Sequence, residues 1–403
     1  MTRSSLTSGT TDGSGITSGT RDETGRATRS RTRDETAGPA TAHQAGTDAT
    51  PSPDASADGR RRAATIQDVA DAAGVSRAAV SKVIRNAYGV SPQMRTRVEA
   101  AIARLDYHPR VAARAMRGAT FTLGLEIPQI GNDFHSVIAE AAADVLADTP
   151  YQLIIAPIRD PQVGDQALQS LVDRQVDGIV AVAPLVSTDW LESLASRTPV
   201  VMVGRHDVSA HYDTVAGDDE TGAEQVMEHL VELGHRRIAF LDIDRSRSTG
   251  KSYISPTGRD PHSIRQRVYR EHVGALGLRP RLIQAHGHME EDAAVAVREA
   301  LGQTNRPTAI FAGHDTLAVG ALRAVAELGL EASEVSVAGF DDIPIASHPR
   351  LALTSVDQQG YAMGQEAVRL LLQRLDGRTE PVRRVMPVTL RVRASTAPPR
   401  ERS

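Results

Sequence analysis

The stretch Thr65–Ile84, TIQDVADAAGVSRAAVSKVI, reads as two short helices joined by a tight turn. Thr65 is placed to cap the first helix, with Asp68 three residues on as the acid of a short capping box. Ile66, Val69, Ala70 and Ala73 recur at helical spacing and give that helix one apolar face. Gly74 stops it. Ser76 then caps a second helix, Arg77–Ile84, whose Val80, Val83 and Ile84 face inward with Val75. A third helix starts at Ser91-Pro92, with serine as the cap and proline at the first helical position. It buries Val98, Ile102 and Leu105. Two short helices joined by Ala-Gly-Val-Ser form a helix-turn-helix, whose second helix lies in a DNA major groove with its early residues at base edges.

The residues expected to touch DNA are therefore Thr65, Ser76, Arg77, Ala78, Ser81, Lys82 and Arg85. Arg77 has two roles open to it, bidentate reading of guanine or a phosphate contact. Lys82 suits a base or a phosphate, and Arg85, Arg95 and Arg97 suit phosphates. The charge around this stretch agrees. The 403-residue chain carries a net charge of −4, which on its face discourages a polyanionic partner. Divided at the composition shifts, it becomes −2 for residues 1–59, +8 for 60–118 and −10 for 119–403. A compact basic module is the electrostatic footprint of a nucleic-acid binder. Of the 46 basic residues only Lys82 and Lys251 are lysines, so arginine is the default cation throughout.

Residues 1–59 lack Phe, Trp, Tyr and Val and read as a disordered tail that cannot bury enough apolar surface to fold. From Phe121 onward, short β-rich runs alternate with helical ones. The expected strands are Thr122–Ile127, Gln152–Ala156, Gly178–Val182, Val200–Val203, Arg237–Ile243, Ala309–Ala312 and Val335–Phe340. Helices are expected between them, among them Ser136–Leu146, Thr221–Leu233, Asp292–Leu301 and Thr316–Leu328. This alternation implies parallel sheets, and its length implies two doubly wound lobes with a cleft between them. The chain has no cysteine, which excludes disulfides, thiolate metal sites and cysteine nucleophiles. Neither a secretory signal nor a run of about 20 apolar residues is visible, so a cytoplasmic, nucleoid-associated protein without a membrane partner is expected.

The quoted stretch, with VSPQMRTRVEAAIARLDYHP and RVAARAMRG after it, resembles the LacI/GalR family of bacterial transcriptional repressors. The similarity continues through TLGLEIPQIGNDF, QVDGIVAV, ELGHRRIAF, AGHDTLAVGALRA, VSVAGFDDIP, LTSVDQ and RVRAST. It implies a helix-turn-helix domain over 60–108, a hinge helix over 109–118 and a two-lobed effector-binding and dimerisation core over 119–397. That core would be similar to periplasmic sugar-binding proteins, and 398–403 would be a polar tail. In the hinge, Arg110 and Ala113 would meet the minor groove. Met116 would stand where the family places a leucine wedge that unstacks the central base step.

The resemblance also implies an effector site built from Gln129, Asn132, Phe134, Arg265, Met289, Asp315 and Gln358, with Arg267 as an alternative to Arg265. An arginine and an aspartate suit the vicinal hydroxyls of a sugar or sugar phosphate. This chain departs from the family at five cleft positions. Asn-Pro-Phe-Phe reads Asn132-Asp133-Phe134-His135, an asparagine reads His314, and aromatic positions read Gly360 and Met289. The segment 244–262 is long and basic, and either contacts an anionic ligand or stands in solvent.

Other chemistry finds little support. Thr249-Gly250-Lys251-Ser252 lacks the first glycine of a phosphate-binding loop, and His286-x-His288-x-Glu290 falls in a strand-end loop. No catalytic triad order appears, so neither an enzyme nor a cofactor is expected. The implied partners are double-stranded operator DNA, a small-molecule effector and a second copy in a homodimer. The alternative is a sugar-binding protein, cytoplasmic or exported, with no gene-regulatory role.

Overall fold

The computed structural model describes residues 64–84, 87–107, 119–158, 164–244, 258–287 and 289–400. The tail 1–59, Arg85, the hinge residues Arg110, Ala113 and Met116, the 245–257 part of the long loop and His288 lie outside the described residues.

Helices α1 (Ile66–Ala73), α2 (Arg77–Ile84) and α3 (Pro92–Leu105) form the small basic module. Val69, Val80 and Val98, one from each helix, are fully buried and meet at its centre with Ala70, Ala73, Ala101 and Tyr107. The capping box at the start of α1 is complete. Asp68 N–H donates to Thr65 Oγ1 (3.3 Å) and Thr65 N–H donates to Asp68 Oδ2 (2.7 Å). Gly74 ends α1 at φ +64°, a conformation open to glycine at little steric cost.

The core contains two six-stranded sheets. The first runs β11-β5-β4-β3-β1-β2, with β1 Thr122–Ile127, β2 Gln152–Pro157, β3 Gly178–Val182, β4 Val200–Val203, β5 Asp213–Gly217 and β11 Arg383–Met386. The second runs β12-β10-β9-β8-β6-β7, with β6 Ile238–Ile243, β7 Leu282–Ala285, β8 Ala309–Ala312, β9 Ser336–Asp341, β10 Thr354–Asp357 and β12 Thr389–Arg391. All pairings are parallel except β10 with β12. Helices cover both faces, as parallel strands buried on each side require.

The chain crosses between the lobes three times, after β5, after β10 and after β11. Helix α7 (Asp219–Glu232) opens the second lobe. Helix α11 (Gly360–Leu375) returns to the first, where it packs on β3, β4 and β5 and its Met363, Ala367, Val368 and Leu371 join the core of that lobe. Strands β5, β7, β10, β11 and β12 were not among those expected. β5 and β10 (DTVAG and TSVD) hold one large apolar residue each, and β11 (RRVM) is an exposed edge, so neither period nor hydrophobicity marks them.

Candidate DNA interface and effector cleft

On α2 the side chains of Arg77, Ala78 and Lys82 are exposed, and Ser81 is half-buried beside them. Neither Arg77 nor Lys82 has a carboxylate or hydrogen-bond partner for its side chain among the described residues. Ser76 caps this helix by accepting from Ala79 N–H (3.2 Å). Thr65 and Ser76 thus hold the helix starts in place. Tyr88, on the turn between α2 and α3, projects wholly into solvent. An aromatic next to Gly89 in a basic module was the available sequence signal for it.

A cavity of about 340 Å³ opens between the lobes, at the carboxyl ends of the strands where doubly wound folds bind ligands. Its first-lobe wall is the loop after β1 (Gln129, Asn132, Phe134, His135), Val182–Leu185 after β3, and Gly204-Arg205 after β4. Asn132 caps helix α4 (Asp133–Leu146), its Oδ1 accepting from Phe134 N–H (3.0 Å). Phe134 packs against core residues of both lobes. A β-carbon on Gly360 would lie 2.6 Å from the Phe134 ring, so the glycine that replaces an aromatic makes room for this one. Arg205 is buried, donating to the Pro184 and Val186 carbonyls (3.0 and 2.8 Å) and pairing with Asp207.

The second-lobe wall comes from helix α8 (Pro261–Ala275) and the ends of β6, β8, β9 and β10. Arg265 is buried there. Its Nε and Nη2 reach Asp219 Oδ1 (2.8 and 2.7 Å), its Nη1 donates to the Gly313 carbonyl (2.5 Å), and its guanidinium lies 3.6 Å from the Phe340 ring centre. Asp219 also takes His206 Nε2 at 2.7 Å, from the loop after β4. Arg265, Asp219 and His206 thus form a hydrogen-bonded chain from one lobe to the other. Burial alone would push the Asp219 carboxyl up, but Arg265 and His206 hold it below its ordinary value. His262 lies 2.8 Å from Asp242, with its ring edge-on to His314. Gln358 donates to Asp341 Oδ1 (2.6 Å).

The cavity therefore gathers Gln129, Asn132, Phe134, Arg265 and Gln358 of the expected set, and leaves two outside its lining. Asp315 is wholly buried behind the wall, its oxygens taken by Ser355 Oγ (2.6 Å) and Ile343 N–H (2.9 Å). Burial raises its carboxyl well above the ordinary range, with Asp341 adding to the effect. The carboxylates in the cavity lining are Asp260 and Asp341. Met289 is half-exposed at the start of helix α9 (Glu290–Leu301), and it is not part of the lining. Arg267, the alternative to Arg265, points outward to Glu220 and Glu271. Sequence reasoning missed Arg205, His206, Asp219, His262 and Asp341. A polar residue directly after a buried strand was the signal, and GFDD at the end of β9 carries it.

Among the described residues no helix is long and apolar enough to cross a membrane, and no three His, Asp or Glu side chains could hold one metal ion. A profile described as bacterial regulatory proteins, lacI family, matches residues 65–110, and one described as periplasmic binding protein-like domain matches 227–396. Catabolite control protein A of Priestia megaterium is 30% identical over 323 residues, covering 78% of this chain and 93% of that protein. The lac repressor dimer bound to operator and the anti-inducer ONPF superposes with a TM-score of 0.67 at 25% identity, over 83% of this chain and all of that one. A complex of the transcriptional regulator CelR with cellobiose gives 0.56 at 28% identity, over 82% of this chain and 99% of that one. With helix-turn-helix, two-lobed core and cleft in one matching order, the chain belongs to the LacI family of bacterial regulatory proteins and is a DNA-binding transcriptional regulator.

Proposed function

We propose that this chain is a repressor of carbohydrate uptake or catabolism genes, acting as a homodimer on a palindromic operator and released or retained by a small hydroxylated effector. The observation that carries the reading is the pairing, within one chain, of a basic helix face whose Arg77 and Lys82 have no side-chain partner among the described residues with an interlobe cavity whose largely apolar wall carries a few charged and polar groups. Two recognition helices related by a twofold axis match a palindrome with half-sites about one helical turn apart. Arg77, Ala78, Ser81 and Lys82 read bases or phosphates. Arg110, Ala113 and Met116 enter the minor groove, with Met116 as the wedge. Arg265, Gln358, Asn132 and Phe134 hold the effector, which sits where charged and aromatic groups converge. The protein works by binding rather than catalysis, in the cytoplasm.

Ligand that draws the lobes together shifts the first lobes of the two copies and with them the hinges. Coupling of this kind is reciprocal, typically about 1–3 kcal/mol. A footprint on the gene's own upstream region, repeated with a panel of sugars, tests the reading. A protected palindrome whose occupancy changes with one sugar is expected. Absence of protection there and upstream of neighbouring genes would sink it.

A further inference from the structure

One carboxylate in the lining of the cleft has an oxygen that no hydrogen bond from a described residue reaches. Two arginines line the cleft, and each already faces an acid: Arg205 faces Asp207, and Arg265 faces Asp219. The lining also holds two carboxylates, Asp341 and Asp260. Asp260 is occupied as the cap of α8, its two oxygens accepting from Ser263 N–H (3.0 Å) and Oγ (2.5 Å). Asp341 differs. Its Oδ1 takes Gln358 and lies 3.9 Å from Arg265 Nη1, but no hydrogen bond from a described residue reaches Oδ2. The residue is 7% exposed, and what it exposes faces the cavity.

The backbone holds this carboxylate in place at a steric cost. Asp341 and the next residue, Asp342, sit at φ +121° and +50°, conformations that L-residues adopt only when their surroundings enforce them. The Ser355 hydroxyl, which accepts from Asp342 N–H (3.1 Å), and Arg393, paired with the Asp342 carboxylate (2.7 Å), supply that enforcement. A buried carboxylate with half its capacity unused is costly, and the cost falls when a cation arrives.

We propose that the effector is a polyhydroxylated compound bearing a protonated amine, such as an amino sugar, with its ammonium on Asp341 Oδ2 and its hydroxyls on Gln358, Arg265 and the first-lobe wall. The proposal rests on the reading of this cavity as the effector site and narrows the ligand class. The Asp341 carboxylate itself disfavours a phosphate at this position, because like charges repel. Among the described lining residues, a phosphate could gain an arginine only by displacing Asp207 or Asp219. Burial pushes the Asp341 carboxyl up to about 6, with Arg265 opposing. An ammonium beside it would hold it ionised.

Isothermal titration calorimetry of the full chain at pH 7 tests this. The probes are glucosamine, galactosamine and mannosamine, each beside its parent hexose, its N-acetyl form and its 6-phosphate. One amine should bind about tenfold or more tighter than its own hexose and N-acetyl form, the gain of one charge-assisted hydrogen bond. Asp341→Asn should bring that amine down to the level of its hexose, while the variant still binds operator and melts near the wild-type temperature. A hexose or phosphate that binds as tightly as the amine overturns the proposal, as does an amine preference that survives in Asp341→Asn. Neutral sugars bound without amine preference remove this inference alone. A panel that neither binds nor alters operator occupancy removes the sugar-effector reading with it.

Discussion

Helix α2 and the cleft both rely on arginine, in opposite states. Arg77 is exposed and has no side-chain partner among the described residues, whereas Arg265 is 3% exposed and bound to Asp219, Gly313 and the Phe340 ring. An arginine that waits for a partner in solvent contributes to binding and little to folding. One that is buried against a carboxylate is part of the lobe, and its removal strands the acid. The two sites should therefore fail differently when mutated.

The largest effect is expected at Arg265. Arg265→Ala leaves Asp219 buried with His206 alone and should cost about 3–5 kcal/mol of core stability. Chemical denaturation reads this. A change below about 1 kcal/mol, the range of exposed pairs, would mean that the pair is not structural and would collapse the contrast with Arg77.

Arg77→Ala should leave the melting temperature unchanged and weaken operator binding by about 1–3 kcal/mol. Its salt dependence sharpens the comparison. A phosphate contact lowers the slope of log affinity against log salt by about one, while a base contact leaves the slope and relaxes preference at one operator position. Loss of stability in this variant would show that the exposed face is not free.

A third difference is pH. The segment 64–107 contains no histidine, whereas the core buries His235 between Thr308, Ser336 and Ala397. Burial pushes that imidazole down to about 4, so it stays neutral when folded and takes a proton when unfolded below about 6.5. Its contribution is complete above pH 6.5 and declines as pH falls toward 4, by at most about 1.4 kcal/mol per unit. The stability gap between wild type and His235→Asn should narrow over that window. A constant gap would place the histidine in a wetter setting. The smallest effect belongs to Thr65→Ala, about 1 kcal/mol from loss of the cap, read as earlier melting of the small module with the core unaffected.

The same contrast explains what the sequence discloses. Local rules govern α1 to α3: a cap, a glycine stop, a proline at N1 and apolar spacing each act within a few residues, and every one is legible. The buried strands β1, β3, β4, β8 and β9 were legible too, because continuous apolar runs need no partner to identify them. The cleft is built from residues 128 to 363, brought together by lobe crossings that no local pattern encodes. Resemblance supplied Gln129, Asn132, Phe134, Arg265 and Gln358. It also offered Asp315, whose side chain turns behind the wall to Ser355 and Ile343. Asp341, Asp219 and His206 depend on strand-end geometry and on partners far away in sequence.

The central claim is that the exposed helix and the filled cleft are one thermodynamic device. Fluorescence anisotropy of the full chain on its footprinted operator, with and without the effector identified by calorimetry, tests it most directly. The account predicts a change in operator affinity of about 5–150-fold, in one direction, and its loss in Gln358→Ala. An effector that binds the cleft by calorimetry yet leaves operator affinity unchanged would contradict it.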